Sequence, residues 1–467
     1  MESPPSGRVR VVDEAALVAE ADRRAAEYVA SVAGRRAFPA RAAVEALGAF
    51  DVPLADGPQD PGEVLRFLDE TAGPAMTTSN GPRYFGFVVG ATLPVAAAAD
   101  RLVSAWDQCA SSAVNSPGAA AVERAAGRLV LQALHLPAQA AVGFGTSATA
   151  CAVACMSAAR RELLARQGWD VDHAGVAGAP AVRVVVPETV HITVAKALRV
   201  LGFGSADIVR APCDEHGRID PEQLPGLDAR TLLVLQAGEV NTGEFDLFEP
   251  LVERAHRAGA WVHVDGAFGL WARASRPARH LTLGVEAADS WTCDGHKWLN
   301  TPYDGAMAIC RDPAALSAAM NADAPYAVGE PEAQKNLVLE FSRRARGVPV
   351  WAALTALGRD GVEDLVERHR GYARALADGL RTAGFEVLNR VVLNQVLLRA
   401  EDDEQTVAVA RTVQERGLVW FGTTRWQGRP AIRLSVSSWR TREDDVRLLL
   451  EELVDARTSS ARTAGPI

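Results

Sequence analysis

The sequence runs to 467 residues, with 48% apolar side chains, 23% charged side chains and a formal net charge of -9. That length allows two or three cores, and the mixture is ordinary for a packed globular protein, which excludes disorder, collagen and a disulfide scaffold. The acidic balance argues against a nucleic-acid partner, because phosphate backbones are bound by clustered Lys and Arg; small molecules are the expected ligands.

In chain order, Met1-Glu2-Ser3-Pro4-Pro5 lacks the basic and apolar segments of a secretory signal. An Ala-rich amphipathic pattern from Asp13 to Ala49 predicts a helical arm, broken by the Pro/Gly/Asp linker from Asp51 to Gly62. The longest mostly apolar run, Phe85 to Ala99, carries Gly and Pro and falls short of the ~18 residues of a spanning helix. A cytoplasmic protein with no membrane partner is the expectation. From Pro82 to Phe341, β-branched runs alternate with helical stretches: Ala141 to Phe144, Val182 to Val186, Thr231 to Leu235, Trp261 to Val264, Ser290 to Cys293 and Ala306 to Cys310. This alternation implies an α/β fold with a mainly parallel central sheet.

Asn321 to Gln334 mixes Pro, Gly, Asp and Glu without periodicity and predicts a loop near a domain boundary. Beyond it, helices over Val362 to Ala383 and Glu404 to Gly417 and strands over Val391 to Leu398 and Ile432 to Val436 predict a smaller C-terminal α/β domain, with a frayed tail after Ala456. The expected division is a helical N-terminal arm over 1–81, a large domain over 82–345 and a small domain over 346–467. The six cysteines form no CxxC pair. Cys151 and Cys155, one helical turn apart among Ala and Met, read as packed thiols, and no metal is expected.

Four segments carry chemistry. Gly143-Phe-Gly145-Thr146-Ser147-Ala148-Thr149 is a small-residue turn between a predicted strand and a helix, where backbone donors and hydroxyls suit a phosphate. The same residues spell GxGxxA, a dinucleotide fingerprint that would need an acidic ribose partner such as Glu188. His191 lies at a strand end and a helix start, where an imidazole can stack on a ring, although a lone His is more often structural. Trp261-Val-His-Val-Asp265-Gly-Ala267 is followed about thirty residues later by Asp294-Gly-His296-Lys297-Trp. Pyridoxal phosphate (PLP) needs a lysine to hold its aldehyde and a carboxylate to keep its pyridine nitrogen protonated, and Lys297 and Asp265 supply both. Singly, each is more often a solvated lysine or a turn residue.

On these residues the sequence resembles the group II PLP-dependent decarboxylases, the family that includes aromatic amino acid decarboxylase and glutamate decarboxylase. The resemblance extends from about Pro82 to Asp445 and implies the PLP-dependent transferase fold type I and a homodimer with its sites at the subunit boundary. It makes Lys297 the Schiff-base residue and Asp265 the pyridine partner, with Ala267 packed on the ring. Asp294 and His296 become neighbours of the phosphate or site wall, Ser147, Ala148 and Thr149 hold the phosphate, and His191 is a stacking and acid/base residue. Where Val240 replaces the family's threonine, the polar contact falls to Asn241, Thr242 or Glu239. Phe85 and Phe87 match the strip that forms the family's substrate pocket, against the alternative that either packs in a core. Arg433 could face a carboxylate or sit in a structural ion pair.

The implied function is a PLP-dependent carboxy-lyase, a decarboxylase of an L-amino acid with an apolar or aromatic side chain. The family's loop tyrosine, which protonates the substrate carbon after carbon dioxide leaves, falls on Gln334, with Tyr326 nearby. Transamination, aldol cleavage or oxidative decarboxylation to an aldehyde therefore stay open on the same cofactor. An NAD-dependent oxidoreductase is the alternative from another class, and it leaves Asp265 and Lys297 unexplained.

Overall fold

The computed structural model describes residues 13–321 and 332–463. Two sheets organise the chain. The larger contains β2 (Ala141–Gly145), β3 (Arg183–Pro187), β4 (Ile208–Ala211), β5 (Thr231–Gln236), β6 (Trp261–Asp265), β7 (Ser290–Asp294) and β8 (Ala306–Cys310), in the order β2-β8-β7-β6-β5-β3-β4. Adjacent pairs from β7 to β4 are parallel, whereas β8 runs antiparallel to both β2 and β7. Six strands thus share one direction, and the mainly parallel expectation needs only β8 as its exception.

Every residue of β5, β6 and β7 is buried, as a sheet covered on both faces requires. Alternate residues feed two cores. Leu233, Leu235, Val262 and Val264 face one core with helices Pro117–Ala133 and Phe248–Arg257, while Leu232, Val234 and Trp261 face the other with helices Ala148–Ala165 and Ile192–Val200.

The smaller sheet has the order β1-β11-β12-β10-β9, from β1 (Tyr84–Phe85), β9 (Glu386–Val387), β10 (Gln395–Arg399), β11 (Trp420–Trp426) and β12 (Arg429–Ser435). β1 lies far away in sequence, inside the expected large domain, yet pairs parallel with β11 through Tyr84 opposite Trp420. Helix Gly347–Thr382 crosses between the sheets. It kinks at Gly358, whose φ of 60° is open to glycine, and its first half packs Val350 and Ala353 on the large core while its second packs Ala373 and Leu376 on the small one.

The N-terminal arm differs from a single long helix. Helix Glu14–Ser31 ends, residues 32–40 are irregular through Gly34 and Pro39, and short helical turns resume at Arg41–Glu45 before helix Pro61–Ala72. At the other end, helix Glu443–Thr463 continues past Ala456, where fraying was expected. No helix among the described residues is long and apolar enough to cross a membrane.

Candidate active site

The carboxyl ends of β2, β3, β5, β6 and β7 converge on one cavity of about 380 Å³, at the edge where open α/β sheets place ligands. Ser147, Ala148, Thr149, His191, Asp265, Ala267, Asp294, His296 and Lys297 all line it, although they are drawn from four separate stretches of chain. The expected wall residue Phe87 does so too.

Parallel strands explain this convergence. Asp265 ends β6 opposite Thr292 of the neighbouring β7, and Asp294 ends β7 two residues further on, so both carboxylates emerge at the same edge. Asp265 is 8% exposed and its Oδ1 accepts the Ala267 N–H at 3.1 Å. Lys297 Nζ lies 3.0 Å from Asp294 Oδ2, three residues back in the tight turn after β7. The following Trp298 anchors that turn, because its buried Nε1–H donates to His369 Nδ1 at 2.8 Å, and His369 Nε2 in turn meets the Ser438 carbonyl at 2.9 Å.

His191 caps the helix Ile192–Val200. Its Nδ1 accepts the Thr193 N–H at 3.3 Å and lies 2.7 Å from Thr193 Oγ1, so the neutral ring carries its proton on Nε2. Burial holds the His191 pKa below the ordinary value; the Asp265 carboxylate pushes the other way but is outweighed. His296 is likewise held low, chiefly by burial.

Ser147 caps the helix Ala148–Ala165 by accepting the Ala150 N–H at 3.3 Å. The N–H groups of Ala148 and Thr149 belong to a first helical turn that has no earlier carbonyls to use, and the helix dipole adds positive potential there. Asp294 Oδ1 is buried with no hydrogen-bond partner among the described residues. A buried carboxylate oxygen left unpaired is costly, so an incoming donor is chemically called for at this wall. Together with a lysine amine, a second carboxylate and a phosphate-sized cluster of N–H donors, these residues fit PLP.

Two expected site residues lie elsewhere. Phe85 is 1% exposed and belongs to the apolar core of the small sheet, because β1 turns that side chain inward. Asn241 does not line the cavity; its backbone N–H and side-chain Nδ2 both donate to the Glu239 carboxylate, which folds the turn back on itself and leaves Val240 facing the site. Gln334 is not at the cavity either. It is buried, and its Oε1 accepts the Phe144 N–H at 2.8 Å while its Nε2 donates to the Val142 carbonyl at 3.1 Å, closing the open edge of β2. Tyr326 falls outside the described residues.

Other wall residues carry no local motif. Tyr303 stacks on His296 with ring centroids 4.2 Å apart. Arg433 lines the cavity, and among the described residues its side chain forms no ion pair and hydrogen-bonds only to the Val240 carbonyl, at 3.4 Å. Burial pulls the Arg433 pKa down, which marks a cation poorly compensated by its surroundings. Gly90 permits the close approach of the Val88-Val89 wall, since a Cβ there would sit 1.9 Å from the Lys297 carbonyl. Only that small residue before a Pro-initiated helix hinted at it in sequence.

Residues 49–401 match the pyridoxal-dependent decarboxylase conserved domain. The aromatic-L-amino-acid decarboxylase of Bacillus atrophaeus is 26% identical over 417 residues, covering 84% of this chain and 85% of that one. The L-2,4-diaminobutyrate decarboxylase of Rhizobium meliloti is 28% identical over 389 residues, covering 77% and 74%. Among solved structures, the Oryza sativa TDC with PLP and tryptamine superposes with a TM-score of 0.88 at 22% identity, over 98% of this chain and 100% of that one.

Proposed function

The chain belongs to the pyridoxal-dependent decarboxylase family and is a PLP-dependent carboxy-lyase of amino acids; from that premise we propose that Lys297 holds the cofactor and that the substrate is an L-amino acid with an apolar or aromatic side chain. The observation that carries the assignment of residues is the meeting of the Lys297 amine and the Asp265 carboxylate in one cavity. The bound cofactor supplies an aldehyde that captures amines and an electron-poor ring that accepts the pair released when the bond from Cα to the carboxylate breaks.

The protein's own groups do the rest. Asp265, as a carboxylate, favours a proton on the ring nitrogen, which keeps the ring electron-poor. The first-turn N–H groups of Ala148 and Thr149, with the nearby Ser147 hydroxyl, bind phosphate. Ala267 and His191 would flank the cofactor ring, and His191 keeps a proton on Nε2. Asp294 and His296 hold the Lys297 amine and its turn. Arg433, lacking an ion pair among the described residues, attracts the substrate carboxylate. Phe87, Val88 and Val89 form the apolar wall that favours an apolar side chain.

Several coarser features belong to this reading. Six free thiols suit a reducing compartment, and we place the protein in the cytoplasm. The exposed arm makes a homodimer the proposed assembly, and we divide the chain into an arm, a large domain and a small domain, with β1 passing from the large domain's stretch of chain into the small sheet.

Borohydride reduction followed by peptide mapping tests the residue assignment: the tag is expected on Lys297, and a fully loaded protein tagged elsewhere rules it out. Product analysis on a panel of L-amino acids tests the reaction. Carbon dioxide with the matching amine is expected; a keto acid or aldehyde without that amine assigns one of the other cofactor reactions instead.

A further inference from the structure

We propose that Trp420, which does not line the cavity, is a positioning residue that sets Phe87 in the wall and so decides which substrate side chains are accepted. The proposal rests on the reading above that Phe87 faces the substrate. Phe87 has a φ of 51°, a left-handed conformation that strains a bulky residue. The residue is 55% exposed, so apolar packing inside the wall does not hold it there. What touches the ring instead is the Trp420 indole, with centroids 5.8 Å apart and planes 29° from parallel, and the Arg433 guanidinium, 5.8 Å from its centroid.

The indole is itself fixed. A Cβ on Gly86 would come within 1.9 Å of Trp420 Cζ3 and 2.3 Å of Cε3, so the ring lies directly on bare backbone one residue before Phe87. Tyr84 stacks on it at 4.9 Å and 7°, and Phe38 of the arm at 6.2 Å and 16°. The Trp420 backbone N–H donates to the Arg83 carbonyl at 3.1 Å, which locks the register of β11 beside β1. A contiguous aromatic stack therefore runs from the arm, through the small sheet, to a cavity residue whose backbone needs external support.

Trp420→Leu removes the stack, Gly86→Ala pushes the indole away with a methyl group, and Trp420→Phe keeps a flat ring. Each is compared with the native protein for cofactor absorbance, for kcat and KM, and for the dissociation constants read from the change in the cofactor band as amino acids from alanine to tryptophan are added. With the band intact, Trp420→Leu and Gly86→Ala are expected to erase about tenfold of the preference for large apolar side chains, through KM and the dissociation constants, with kcat nearly unchanged; Trp420→Phe restores most of it. An unchanged order of affinities, or an equal fall in kcat for every substrate, overturns the proposal. If native protein releases no carbon dioxide while its band still responds to amino acids, the reaction assigned above fails and the order of affinities still decides the role of Trp420. A native band that responds to no amino acid overturns both.

Discussion

Protonating His191 costs more inside the cavity than in water, and this sets the direction of its pH dependence. Because burial holds its pKa below the ordinary value near 6.5, the ring stays neutral at pH 7 and remains so as the pH begins to fall. The decline of kcat/KM that belongs to this group is therefore expected below the usual histidine range, and His191→Gln should both remove that acid limb and slow turnover by about 10²- to 10⁴-fold. An unchanged limb in the variant assigns it to another group. Asp265→Asn keeps the shape but not the charge, and a loss of about 10²- to 10³-fold in kcat at normal cofactor loading is expected. At this scale the sequence is most legible where a residue ends or closely follows a strand: Asp265, Asp294 and His191 reach one edge because parallel strands share a direction. Phe85 and Asn241 show the limit, because one residue of register or one turn of backbone decides which side faces the cavity, and neither is visible in a spacing.

Gln334 shows how an element can absorb a residue expected to do chemistry. Strand β2 lies at the sheet edge, and the paired groups of the Gln334 amide satisfy a donor and an acceptor that the missing neighbour strand leaves open. Gln334→Ala is expected to cost about 1 to 3 kcal/mol in chemical denaturation, the cost of unpaired buried backbone groups, and Gln334→Tyr should do no better, since a phenol cannot reproduce both bonds. A tyrosine variant of native stability would contradict this. The turn carrying Lys297 depends in the same way on His369, whose burial pulls its pKa down to about 3. With a folded value below the unfolded one, the folded protein binds fewer protons, so this stabilisation is present above about pH 6.5 and is lost as the pH falls toward 3. Melting temperatures of native protein and His369→Gln should converge on acidification, and parallel curves would rule this out. The central strands are readable from β-branched runs because both their faces are buried. β1, β4 and β9 escape because strands of two to four residues at or near sheet edges leave almost no pattern.

The two arm helices leave apolar surface uncovered within a single chain. Helix Glu14–Ser31 buries no residue, helix Pro61–Ala72 buries only Ala72, and Leu54 is 99% exposed between them. On helix Pro94–Trp106 and just beyond it, Leu102, Trp106 and Val114 are also exposed, at 50%, 52% and 84%. Isolated exposed apolar side chains are unremarkable, but two helices that bury one residue between them offset little of the entropy of ordering them. A second copy of the chain would supply the missing contacts, and an isologous pair closes without leaving a sticky edge. The arm bears on the cavity as well, since Phe38 stacks on the indole that supports Phe87. Sedimentation is therefore expected to give twice the 49.6 kDa of one chain, and a charge introduced by Leu54→Asp or Trp106→Glu should shift the equilibrium toward single chains, make the melting temperature depend on protein concentration and weaken substrate affinity with it. Single chains of undiminished stability in the native protein would instead mean that the arm is held by contacts within its own subunit.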